Sequence, residues 1–175
     1  DIKTEDLEKS LRNVGLSRGK TFNQSTLDEV ERFLTDQYFS RGKYAVQVDT
    51  KVEEVARNRV KIAVDIVEGK RSKIRQINVV GNEAFSDDDL LADFKLQTPN
   101  WLSLYKQDDR YSREELSGDI AKLRSYYLDR GYANMDVETT KVAITPEKDD
   151  IFITLNVKEG EVYRISDVKI AGNLV

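Results

Sequence analysis

At 175 residues, with 39% hydrophobic and 34% charged positions and a net charge of −4, the chain has room for two small domains with a heavily solvated surface. A pI near 5.1 leaves no basic excess to displace phosphate counterions, which argues against nucleic acid as a main partner. Histidine and cysteine are both absent, and this removes Cys/His zinc sites, thiol nucleophiles and Ser-His-Asp triads. No stretch has the pattern of a signal peptide or a transmembrane helix. The chain starts at Asp1 without Met and stops on a strand-like segment, as a piece excised from a longer protein would.

Leu7 and Leu11 predict a first helix from about Thr4 to Val14, closed by Gly15. Asn23 or Ser25 caps a second helix running to about Arg41, with Leu27, Val30, Leu34 and Tyr38 inward and Gly42 as its stop. Tyr44, Val46, Val48 and Val52 alternate as a half-buried strand requires, and Val60, Ile62, Val64 and Ile66 alternate back beyond an Arg57-Asn58 turn, giving a hairpin. Lys73–Val80 is a further strand, stopped by Gly81-Asn82. A second pass then begins. Ser86 with Asp89 fits a capping box on a short helix that turns Leu90 and Phe94 inward. An irregular loop from Gln97 to Tyr111 holds the only tryptophan, Trp101. Ser112 with Glu115 opens a long helix carrying Leu116, Ile120, Leu123 and Tyr127 at helical spacing, closed by Gly131. A second hairpin pairs Asp136–Thr145 with Ile151–Val157, and Val162–Ala171 is a last strand before Gly172-Asn173.

The two passes are an internal repeat. Leu34, Tyr38, Arg41, Gly42 and Val48 lie 89 positions before Leu123, Tyr127, Arg130, Gly131 and Val137. Glu68, Gly69, Ile74, Gly81 and Asn82 lie 91 before Glu159, Gly160, Ile165, Gly172 and Asn173. The difference falls in the hairpin turn, where insertions are tolerated. Each unit has the order β-α-α-β-β. The first lacks its opening strand, and the last residues supply only the opening strand of a third.

That order, with Gly-Asn after the first strand and Arg-Gly after the second helix, resembles the POTRA domains of outer-membrane β-barrel assembly factors. The strings LRSYYLDRGYA (123–133), INVVGNEAF (77–85), RNRV (57–60), FKL (94–96) and AGNL (171–174) carry the resemblance, which spans essentially the whole chain. It implies an α+β class of tandem POTRA domains, each with two helices packed on a three-stranded sheet whose middle strand is the hairpin's second. The domains would be 1–70 without its first strand, 71–160 complete, and 161–175 the first strand of another. It also implies a periplasmic scaffold with no cofactor and no catalysis. Such a scaffold would take unfolded outer-membrane protein precursors by β-augmentation, and a BamB-type lipoprotein on the 71–160 domain.

The edges would then be Tyr44–Glu54, with Tyr44, Val46 and Val48, and Asp136–Thr145, with Asp136, Val137, Glu138, Thr139, Thr140, Lys141, Val142, Ala143 and Ile144. The second edge is irregular. Met135 and Val137 are apolar at odd positions and Val142 and Ile144 at even ones, which one face of a flat strand cannot accommodate. Either a bulge lies between Glu138 and Val142, or Val142 and Ile144 face outward toward a partner. A proline at Thr139 or Lys141 is expected to weaken binding by removing a ladder donor. The plain alternative is a solvated edge guarded by Glu138 and Lys141.

Other features have bland explanations. Asp87-Asp88-Asp89 lacks the ligand alternation and glycine of a calcium loop and suits a helix start. Glu53-Glu54 and Glu114-Glu115 are surface carboxylates. Tyr126 and Tyr127 are helix-face packing, and the Trp101–Tyr105 loop either covers a small core or presents a partner surface. The rival reading is a purely architectural spacer, sensitive to changes at Glu68–Ser72. A separate expectation is self-association in which the terminal strand Tyr163–Ala171 of one molecule completes the first unit of another.

Overall fold

The computed structural model describes residues 4–99 and 109–169. Helix α1 (Thr4–Asn13) is followed by α2 (Gln24–Phe39), which buries Leu27, Val30, Leu34 and Tyr38 along one stripe. The Asn23 side chain caps α2, accepting the Ser25 N–H at 3.0 Å. At the other end Tyr38 O accepts N–H groups from both Arg41 and Lys43 at 3.0 Å, while Gly42 takes a φ of +74°. This six-to-one closure needs a left-handed residue, and glycine supplies it without a Cβ clash.

The chain then forms β1 (Gln47–Val55) and β2 (Arg59–Val67), an antiparallel pair with Gln47 opposite Val67 and Val55 opposite Arg59. Arg57 and Asn58 both take positive φ in the connecting turn. Among the described residues these two strands form a sheet by themselves.

Strand β3 (Lys73–Val80), short helix α3 (Asp87–Leu91), long helix α4 (Arg113–Leu128) and strands β4 (Asp136–Ile144) and β5 (Asp150–Lys158) complete the order. Their sheet runs β3-β5-β4, so β5 is central and β3 and β4 are its two edges. β5 buries Ile151, Ile153, Leu155 and Val157, and Ile74, Ile77, Leu116, Leu123 and Tyr127 are buried as well. The second hairpin closes with the Thr145 N–H on Asp150 O at 3.0 Å. Helix α4 ends as α2 does: Tyr127 O accepts from Arg130 at 3.0 Å and Tyr132 at 3.1 Å, with Gly131 at φ +91°.

The described residues fall into two compact units, 4–73 with 110–113 and 144–151, and the remainder. The short segments 110–113 and 144–151 thus belong to the first unit although the repeat assigns them to the second copy.

Two expectations shift, and a third falls outside the described residues. Tyr44 and Val46 precede β1 instead of lying in it, and both are buried. The chain is still turning there, with the Val46 N–H on Lys43 O, and Tyr44 stacks on Phe39 at 5.0 Å. The expected terminal strand is not formed over 161–169. Ile165 and Val168 are 85% and 72% exposed, and a strand without a neighbour leaves its N–H and C=O groups to water. The Trp101–Tyr105 loop lies outside the described residues.

Candidate functional site

β4 stands at the margin of its sheet, and its side chains show what that margin offers. Asp136 accepts from Arg124 of α4 at 2.8 Å; Val137 is half-buried; Glu138, Thr140, Lys141 and Ala143 are exposed. Thr139 Oγ1 accepts a hydrogen bond from Asn156 Nδ2. Val142 is half-buried and Ile144 is at the surface.

The Thr139–Asn156 pair fixes the phase of the strand. Asn156 lies between the buried Leu155 and Val157, so its side chain belongs to the outer face of the sheet, and Thr139 with it. Met135 and Val137 share the parity of Thr139, yet are buried and half-buried. The alternation therefore changes phase between Val137 and Thr139. A strand that does so while staying in the sheet is bulged. Of the two alternatives read from the sequence, this parity favours the bulge, with the change of phase at Glu138, on the border of the expected window.

Beyond the bulge the register is plain. Thr139 opposite Asn156 and Thr145 opposite Asp150 fit a single antiparallel alignment. Because the Thr145 N–H points at β5, those of Ala143, Lys141 and Thr139 do too, and those of Thr140, Val142 and Ile144 point to the open side. Proline at Thr139 or Lys141 would thus break the sheet's own ladder. Thr140 and Val142 hold the outward donors.

β1 is dressed differently. Val48 is half-buried beneath α2, and the outer face is tied by Lys51 to Asp65 at 2.7 Å and Lys61 to Glu53 at 3.9 Å. At mid-strand the Glu31 carboxylate of α2 accepts both the Thr50 N–H, at 3.2 Å, and the Thr50 hydroxyl, at 2.6 Å. Tyr44 and Val46 are buried ahead of β1.

Behind both edges stands a tyrosine–glutamate pair that the sequence reading did not single out. Tyr127 donates to Glu159 at 2.8 Å, and Tyr38 donates to Glu68 at 3.1 Å. Each links a helix end to the exit of the hairpin's second strand. Burial, followed for Tyr127 by the Glu159 carboxylate, raises both phenols above their ordinary range. Burial likewise raises Tyr44, reinforced by Tyr111. Lys43 ion-pairs with Glu68, while burial and then Arg71 and Arg41 hold its ammonium below the usual lysine range. The signal was available, since both members of each pair recur at the repeat offsets.

Asp119 was also missed. It is fully buried in α4, accepts the Lys95 and Leu96 N–H groups at 2.9 Å, and pairs with Lys122 at 2.8 Å. The Asp87–Asp89 run is a helix start: Ser86 Oγ accepts the Asp89 N–H at 3.2 Å, and Asp87 accepts from Asn82 at 2.7 Å. Among the described residues no cluster of three acidic side chains is placed to hold a metal, and no helix is long and apolar enough to cross a membrane.

The POTRA family model, described as a surface antigen variable number repeat, matches residues 1–69 and 72–160. The chain belongs to the POTRA family. It is 30% identical over 172 residues to the outer membrane protein assembly factor BamA of Neisseria meningitidis serogroup B, covering 98% of this chain and 22% of that protein. It is 33% identical over 176 residues to BamA of Buchnera aphidicola, covering 99% of this chain and 28% of that protein. The POTRA chain thus spans about a quarter of the length of these relatives. Among solved structures, Haemophilus influenzae BamA POTRA3-5 covers 99% of the chain and is itself covered to 69%, at 17% identity and a TM-score of 0.49.

Proposed function

We propose that this chain is a periplasmic strand-binding scaffold in outer-membrane protein assembly, and that β4 is its principal acceptor edge. The observation that carries the reading is the Thr145 N–H on Asp150 O of the edge strand's hairpin, from which alternation turns the β4 donors at Thr140, Val142 and Ile144 outward. An extended polypeptide laid beside β4 completes those hydrogen bonds while its side chains are barely read. That chemistry suits unfolded barrel precursors of many sequences, and it also suits one strand of a BamB-type lipoprotein. The family and its assembly-factor relatives support the setting, the periplasmic part of an outer-membrane protein. The mechanism is strand addition, with no covalent step.

Thr140→Pro removes an outward donor and leaves the β5 ladder whole. It is expected to weaken binding of a capped extended peptide about tenfold, the value of one well-placed backbone hydrogen bond. Unchanged affinity by fluorescence anisotropy, in a variant with the wild-type circular dichroism spectrum, would contradict the reading.

The spacer reading has its own support. Where the chain leaves each hairpin it turns back onto the helix-stop glycine: the Ser72 N–H bonds Gly42 O at 2.9 Å, and the Tyr163 N–H bonds Gly131 O at 2.8 Å. A repeated exit contact of this kind sets the direction of the following segment whether or not the edges bind anything.

A further inference from the structure

Resting on the edge-binding reading, the geometry points to a regulatory difference between the two edges: Glu31 is a built-in cap on β1, and among the described residues β4 has no counterpart.

The first observation is where the Thr50 N–H goes. In an antiparallel pair successive N–H groups point alternately to the partner strand and away from it. The Thr50 N–H goes to Glu31, a side chain of α2, so it is one of the donors directed away from β2. Those of Val48, Val52 and Glu54 point the same way by the same alternation. They are the groups an added strand would have to engage.

The second observation is the strength of the hold. One carboxylate oxygen accepts both the N–H and the hydroxyl of Thr50, and Glu31 is half-buried between helix and strand. Hydrogen bonds to an ionised acceptor are roughly twice as strong as neutral ones, and partial burial limits competition from water. An incoming carbonyl must displace this carboxylate and return it to solvent. It gains a neutral bond in place of a charge-assisted one. The middle of β1 is thereby closed to strand addition while its ends remain open, too short a frame to hold an extended peptide.

The third observation is the repeat itself. At the offset of 89 Glu31 becomes Ile120, which cannot accept a hydrogen bond, and Thr50 becomes Thr139. The bulge has turned Thr139 to the outer face, where its hydroxyl accepts from Asn156. The bond from α4 to β4, Arg124 to Asp136, joins side chains and occupies no backbone donor. The change of residue and the change of phase act together to leave β4 open. The occupant is the same for both edges, an extended polypeptide that accepts through its carbonyls; the edges differ in whether it must first evict an internal competitor.

The test is amide chemical-shift mapping of the whole chain with a capped peptide of alternating aliphatic and polar residues, in wild type, Glu31→Ala and Glu31→Gln. In wild type the shifts fall on 137–144. Glu31→Ala adds shifts at Val48, Thr50, Val52 and Glu54 and tightens binding at that edge about tenfold, with β4 affinity unchanged. Glu31→Gln, which keeps an accepting oxygen and loses the charge, gives a smaller gain and serves if the alanine variant folds poorly. A β1 edge that stays silent in both variants while β4 titrates overturns the cap and leaves edge binding intact. Equal β1 binding in wild type and Glu31→Ala also overturns it. Silence of both edges in every protein overturns the cap together with the edge-binding reading.

Discussion

The two copies of the repeat share a scaffold and solve the same positions with opposite chemistry. Val30 and Asp119 occupy equivalent places on α2 and α4, and both are fully buried. The valine fills space. The aspartate spends its burial on three donors, two from the backbone that leaves the short helix α3 and one from Lys122. One position further on, Glu31 reaches over β1 while Ile120 packs as a half-buried apolar side chain. Moving a carboxylate by one place on a helix changes its work from capping an edge to anchoring a loop. The shared residues make the fold, and the exchanged ones make the edges unequal.

The contrast can be broken most strongly at Asp119. Asp119→Val imports the first copy's solution into the second, leaving the Lys95 and Leu96 N–H groups without their acceptor and Lys122 with the Asp93 carbonyl but no carboxylate. It is expected to cost about 3–5 kcal/mol. Val30→Ala in the first copy opens only a small cavity and costs about 2 kcal/mol. Urea unfolding monitored separately in the two units checks the order.

A smaller effect concerns what the copies have in common. The phenols of Tyr38, Tyr44 and Tyr127 all ionise above their ordinary value of 10.0. Below that pH they are neutral in both folded and unfolded chains, and their contribution is whole. As pH climbs past 10.0 the unfolded chain loses these protons first, the folded state holds more of them, and stability falls. The urea midpoint should therefore drop between about pH 9 and about pH 11, and Tyr127→Phe should flatten part of that drop. The same substitution costs about 1 kcal/mol at neutral pH, since it removes one donor from Glu159.

Much of this fold was legible locally. The stripe Leu27, Val30, Leu34, Tyr38, the glycine stops at 42 and 131, the Ser86 cap and both hairpins follow from spacing and turn chemistry among near neighbours. The parity conflict between Val137 and Val142 was legible too, because it is a property of one strand. What spacing did not reveal were pairings between residues distant in the chain: Glu31 with Thr50, Lys95 and Leu96 with Asp119, Tyr127 with Glu159. No periodicity marks a carboxylate that leaves its helix to meet a strand. The choice of Thr139 and Lys141 for proline turns on N–H direction, which depends on register, and alternation from the Thr145–Asp150 bond aims both donors at β5. Tyr44 and Val46 alternated correctly but belonged to the turn into the strand, where burial imitates a strand's inner face.

Amide hydrogen exchange at single-residue resolution tests the central claim, an occupied edge on one copy and an open one on the other, most directly. Thr50 is an edge donor without a partner strand, yet its N–H should exchange about tenfold more slowly than those of Val48 and Val52, and should lose that protection in Glu31→Ala. Thr140 and Val142 on β4 should exchange as freely as exposed edge amides. If Thr50 exchanges as fast as Val48 and Val52 in the wild-type protein, or keeps its protection without Glu31, the two edges are alike and the account fails.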